Sequence, residues 1–171
     1  MYETTEDVQK LQALLDRSHE EAGEHLRSLI TPERRITAAD LVETLTGMRL
    51  LSLATVTARC EPRVGPVDGL FYRGQFWFGS SPTSVRFTHI RARPQVSATH
   101  TEGEALAVTV HGRATMVDLR QPEHDGFRRY CLEIYGGDWE DWGLPANYAR
   151  IDADRMFTAD FSDVAGSESD G

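Results

Sequence analysis

No run of apolar residues in this sequence approaches the ~20 that a membrane-spanning helix needs. The first residues, Met1 to Asp7, are polar and acidic where a secretory signal would be basic and then apolar. On sequence alone the expectation is a cytoplasmic protein with no membrane partner. Cysteine is scarce: Cys60 and Cys131 can form at most one bridge, and they lack the C-x-x-C spacing of zinc and redox sites, so both are expected to be reduced and no metal site is expected. Lysine is nearly missing, with Lys10 set against seventeen arginines, a codon bias that points to a GC-rich genome. A dinucleotide fingerprint of the G-x-G-x-x-G type, a P-loop and internal repeats are also absent. A net charge of −9 argues against nucleic acid as a partner, because that affinity depends on a basic surface that releases counterions from phosphate.

What remains is 171 residues, 40% hydrophobic and 26% charged, the make-up of a single globular domain. The charge is uneven. Residues 1–49 carry a net −4, residues 50–101 a net +4 and residues 102–171 a net −9. A basic middle in an acidic chain suits a local anion site, since the rest of the surface repels the ligand.

Apolar residues recur at helical spacing from Glu6 to Ile30, predicting one amphipathic helix. Thr31-Pro32 reads as a cap and first helical position of a short turn. Thr37 to Asp40 resembles a capping box opening a helix that Gly47 ends. Strands are expected at Leu50 to Thr57, Arg63 to Tyr72, Gln75 to Ser80, Val96 to Thr101, Ala105 to Val117 and Tyr148 to Phe161. Gly74 marks a tight hairpin between the second and third, which places Phe71 against Phe76. Val85 to Arg91 and Pro122 to Tyr135 read as helices, with a loop following Gly136-Gly137. Strands joined mostly by hairpins favour a mainly β (α+β) architecture, a small six-stranded antiparallel barrel with flanking helices. Three regions are expected: an N-terminal helical extension at 1–36, a barrel domain at 37–162 and a flexible acidic tail at 163–171.

The candidate site is Gly79-Ser80-Ser81-Pro82-Thr83-Ser84-Val85-Arg86, a strand end running into a helix start. Hydroxyls, free N–H groups of a first helical turn and a guanidinium together make a phosphate cradle. The same residues also describe an ordinary N-cap followed by a solvated arginine.

In order and spacing, several segments resemble the FMN-binding split-barrel family typified by pyridoxamine 5'-phosphate oxidase, with its deazaflavin-using relatives. They are Leu53-Ala54-Thr55-Val56, Pro62-Arg63-Val64-Gly65-Pro66-Val67, Phe76-Trp77-Phe78-Gly79-Ser80, Ser84-Val85-Arg86, Arg93-Pro94-Gln95-Val96-Ser97 and Val108 to Ala114. The resemblance covers residues 38–118. It implies a split β-barrel, a homodimer with the cofactor in clefts between subunits, and an oxidoreductase passing hydride between a flavin ring and a small-molecule substrate. Carried over by position, it implies that Ser80, Ser81, Ser84 and Arg86 hold the cofactor phosphate, while the backbone of Arg63, Val64, Gly65, Pro66 and Val67 follows the ring edge. Two departures stand out: Arg86 replaces the lysine of many relatives, and Ala58-Arg59-Cys60-Glu61 replaces their Asp-Gly turn. FMN is the expected cofactor. The deazaflavin coenzyme is the alternative, its longer anionic tail being served by Arg86, Arg91 and Arg93.

Some superfamily members handle haem, which makes a non-catalytic carrier or sensor the competing reading. His100, among the evenly spaced His89, His100 and His111, is then the axial-ligand candidate. Trp139 and Trp142 either close over the ring or pack in a core or dimer contact, and Tyr148 and Arg150 are further cleft candidates. Asp118, Glu123, His124 and Asp125 bunch where a helix N-terminus favours acids, which accounts for them without hydrolytic chemistry.

Overall fold

The computed structural model describes residues 2–162, so the expected acidic tail at 163–171 lies outside the described residues. Six strands, β1 (Met48–Val56), β2 (Pro62–Tyr72), β3 (Gln75–Ser80), β4 (Gln95–Glu102), β5 (Leu106–Val117) and β6 (Asn147–Asp160), close into one barrel in the order β1-β2-β3-β6-β5-β4. Every neighbouring pair is antiparallel. The β2–β3 turn puts Arg73 at φ 52° and Gly74 at φ 77°, the doubly left-handed pair whose twist matches that of a two-residue hairpin. Phe71 and Phe76 face each other across it, ring centroids 4.9 Å apart.

Alternation along the strands decides which side chains are removed from water. Leu51 and Leu53 of β1, Val67 and Phe71 of β2, Phe76 and Phe78 of β3, and Val108 and Val110 of β5 meet inside the barrel in one buried cluster. Helix α4 (Val85–Ala92) joins β3 to β4 and contributes Phe87 and Ile90 to this core, with Phe87 stacked on Phe78 at 5.9 Å.

The single helix expected over residues 6–30 is instead two: α1 (Thr5–Glu20) and α2 (Glu24–Leu29). Glu21 caps the first, and Gly23, in an extended conformation, is the N-cap from which the second starts. Apolar periodicity continues through the break because Ala22 and Ile30 are both buried, which hides the turn from a pattern search. Leu11 and Leu15 of α1 belong to the barrel's own cluster, and the Ser18 hydroxyl accepts the Met156 N–H at 3.0 Å. Helix α3 (Ala38–Thr44) starts where Thr37 accepts the Asp40 N–H and stops ahead of Gly47 at φ 88°.

After β5 a 3-10 turn at Pro122–His124 leads into α5 (Asp125–Tyr135). The stretch expected to be a loop contains a further short helix, α6 (Trp139–Gly143). Both pack on the outer face of the sheet, where Leu70, Trp77, Phe127, Tyr130, Cys131, Trp139 and Tyr148 form a second buried cluster. No helix among the described residues is long and apolar enough to cross a membrane.

Candidate functional site at the seam between β2 and β3

Strand β2 is eleven residues long and β3 only six. They pair from Gly69 to Tyr72 against Gln75 to Phe78 and then part. Below the parting, Pro62 to Asp68 pair with β1, while Gly79 and Ser80 pair with Tyr148 and Asn147 of β6. The two strands thus diverge into a seam whose lips are Pro66 and Asp68 on one side and Gly79, Ser80 and Ser81 on the other.

Arg86, in the first turn of α4, reaches across that seam. Its Nη2 donates to the Pro66 carbonyl at 3.0 Å and its Nη1 to the Ser80 hydroxyl at 3.4 Å. Gly65 gives this arm room, since a β-carbon there would stand 3.3 Å from Nη2. The guanidinium is half-buried with no carboxylate beside it among the described residues, and burial pulls its pKa down from the ordinary arginine value. A partly desolvated cation without a counter-ion is a fitting receptor for an anion. Around it, Ser84 caps α4 without spending its hydroxyl on the helix, while the Ser81 and Thr83 hydroxyls bond each other at 3.0 Å. Ser84 N–H donates to the Ser81 carbonyl at 2.9 Å and fixes the loop.

Beside this anion-seeking end lies a cleft of about 370 Å³ lined by Asp68, Ser80, Ser81, Tyr135, Trp142 and Tyr148 among others. Its floor is Tyr148, whose ring covers Gly79 so closely that a β-carbon there would lie 2.6 Å from Cε1. Its wall is the Tyr135–Trp142 corner, rings edge to face at 5.4 Å. Burial, then the neighbouring Asp68 charge, push the Tyr135 phenol well above its ordinary pKa. Tyr148 is raised in the same direction, chiefly by burial. Both phenols therefore stay neutral hydrogen-bonding groups at physiological pH.

The sequence-derived candidates fall into distinct places. Ser80, Ser81, Ser84 and Arg86 come together at the seam. Arg63 and Val64 are exposed on β2, with Arg63 bonded to Glu61 at 2.8 Å. Val67 turns its side chain into the barrel core, so only its backbone can follow a ligand. Trp142, 54% exposed, lines the cleft. Trp139, 0% exposed, is enclosed in the second cluster, where it packs in the core and has no face to offer a ring. Arg150 is paired with Asp152 at 2.9 Å and does not line the cleft. His89, His100 and His111 are each held by separate partners: Thr55, the Leu50 carbonyl and Ser97. Asp68 and Tyr135 were not singled out from the sequence. An isolated acid in a strand and a tyrosine at a helix end carry no local signal.

No family model and no curated protein matches the sequence. Solved structures do. A conserved hypothetical protein from Mycobacterium tuberculosis superposes with a TM-score of 0.62 at 18% identity, covering 80% of this chain and 92% of that one. The heme storage protein HutZ from Vibrio cholerae gives 0.59 at 20% identity, covering 71% and 93%. An FAD-binding protein from Mesorhizobium loti gives 0.56 at 21% identity, covering 71% and 92%. At these identities the likeness establishes architecture, and the chain has the pyridoxamine phosphate oxidase-like split-barrel fold that its motifs resemble.

Proposed function

We propose that this protein is a flavin-dependent oxidoreductase that binds FMN, with the deazaflavin coenzyme as the alternative ring, and transfers hydride to or from a small organic substrate. The observation that carries this reading is Arg86, a half-buried cation without a counter-ion among the described residues, which bridges the two lips of the seam beside an aromatic cleft that Ser80 also lines. In this reading Arg86, Ser80, Ser81 and Ser84 hold the cofactor phosphate, and the β2 backbone from Arg63 to Val67 lies along the ring edge. A bound flavin supplies the redox chemistry. The chain supplies placement: a charged anchor, backbone hydrogen bonds, and aromatic walls at Tyr135, Trp142 and Tyr148 that keep water from the reacting face. This division of labour accounts for a site with no nucleophile and base in hydrogen-bonding order among the described residues.

A homodimer fits the outer wall of the barrel. Leu50 and Val64 are 58% and 70% exposed, and they flank a strip of small uncharged residues, Ser52, Ala54, Ser97 and Thr99, on adjoining strands. Such a wall loses little on desolvation and gains from packing against a copy of itself.

The competing non-catalytic reading, with haem on the same barrel, has less support. His100 is buried, its Nδ1 engaged by the Leu50 carbonyl at 3.1 Å and its Nε2 facing Glu102 at 3.5 Å, so neither ring nitrogen is open to iron. Titration of the chromophore-free protein with FMN, deazaflavin coenzyme and haem separates the readings. Saturable quenching of flavin or deazaflavin fluorescence, weakened in Arg86→Ala, is the expected result. A Soret band lost in His100→Ala, or no binding of any of the three, overturns the proposal.

A further inference from the structure

We infer that the cleft selects a substrate bearing a cationic, hydrogen-bond-donating group on a flat body, and that Asp68 is the residue that recognises it. Residues 50–101 hold only two acids, Glu61 and Asp68. Glu61 is occupied by two arginines, Arg59 at 3.3 Å and Arg63 at 2.8 Å. Asp68 has no ion pair among the described residues and sits on the lip of the cleft.

The groups facing the cleft from the other elements are uncharged. Ser80 comes from β3, Ser81 from the loop after it, Tyr135 from α5, Trp142 from α6, Pro145 and Ala146 from the loop that follows, and Tyr148 from β6. Asp68 is therefore the one formal charge lining it among the described residues. The aromatic rings reinforce its sign, because their faces are electron-rich and attract cations, best of all at a Trp such as Trp142. The carboxylate, for its part, accepts strong charge-assisted hydrogen bonds from amine or amidine N–H groups.

The site is consequently bipolar. Arg86, spanning the seam from Pro66 to Ser80, marks an anion end, and Asp68 with the Tyr135–Trp142 corner marks a cation end inside the adjoining cleft. Each lacks an opposite charge of its own, and no ion pair joins them among the described residues. A ligand or ligand pair that is anionic at one end and cationic at the other completes both. An all-anionic substrate is rejected at the Asp68 end by like-charge repulsion, a specificity device made of one residue.

The place of the reacting ring rests on the flavin reading, whereas the preference for a cation does not. The test uses the full chain, free of chromophore, and three probes of one shape: benzamidine, benzoate and benzyl alcohol, with affinities measured by calorimetry or ligand-observed NMR. With inorganic phosphate present at saturation to occupy Arg86, benzamidine is expected to bind about tenfold more tightly than benzoate, and Asp68→Asn is expected to bring the two within about twofold of each other, the scale of one charge-assisted contact. Trp142→Ala should weaken benzamidine while leaving its preference over benzoate in place. Equal binding of cation and anion, a preference that survives Asp68→Asn, or failure of all three probes overturns the inference. A cation preference in a protein that fails to bind FMN overturns the flavin reading alone.

Discussion

The ring of Tyr148 lies directly on Gly79, so near that an added β-carbon would fall 2.6 Å from Cε1 and 2.8 Å from Cζ. The bare glycine is what allows the cleft to have an aromatic floor. Gly79→Ala must move a ring that is packed against Phe127 and Trp139. The expected cost is about 1–3 kcal/mol, as for other overpacked cores, with weaker cofactor binding as the floor tilts. Urea denaturation and the FMN titration on the same variant check both effects.

Arg86 carries the anchoring argument. Arg86→Ala is expected to weaken FMN by about 1.5–3 kcal/mol, the range of a hydrogen bond to a charged group. Arg86→Lys should fall between, because a lysine keeps the charge but cannot fork to both Pro66 and Ser80. An affinity unchanged in Arg86→Ala removes this residue from the site.

The outer wall predicts the assembly. Leu50→Glu with Val64→Glu places charge on the two most exposed apolar residues of that wall. Light scattering coupled to size exclusion is expected to read a dimer for the native sequence and a monomer for the double variant, with circular dichroism unchanged.

His19 makes stability depend on pH. It is buried, and burial first, then the Arg35 charge, hold its pKa below the ordinary histidine value, while its Nε2 has no hydrogen-bond partner among the described residues. The unfolded chain therefore takes up a proton at a higher pH than the folded chain does. Stability should be full above the unfolded pKa of about 6.5 and should decline as pH falls below it, levelling only beneath the depressed folded value. His19→Phe is expected to flatten that limb in a series of chemical denaturation curves from pH 8 to pH 5, and an unchanged limb would assign it to another group.

The two thiols should separate cleanly. Cys60 is exposed, while Cys131 is buried and its pKa is pushed up to about 12 by that burial. A thiol reagent should label one cysteine per folded chain and two in denaturant, since the thiolate is the reacting species.

Much of this architecture is written in local pattern. Runs of β-branched and aromatic residues after Gly47 located the strands, Gly74 with its neighbours marked the hairpin that brings Phe71 against Phe76, and Thr37 three residues before Asp40 announced α3. These features depend on residues close in sequence, so a one-dimensional reading captures them. The Ser80–Arg86 segment was legible for the same reason, its hydroxyls and guanidinium lying within seven residues.

Other features were decided by contacts between distant residues. The apolar spacing of residues 6–30 continues through Gly23, yet the helix breaks there and only α1 is seated in the barrel core. Trp139 and Trp142 sit three residues apart with similar neighbours, yet one is enclosed by Phe127 and Tyr148 and the other stands open beside Tyr135. Asp68 joins Tyr135 and Tyr148 only because β2 and β3 differ in length and part at a seam. The sequence determined which segments are strands, which faces are apolar and which residues can bind an anion. Tertiary packing decided which aromatic remains exposed and which acid is left unpaired, because burial and charge pairing depend on neighbours far along the chain.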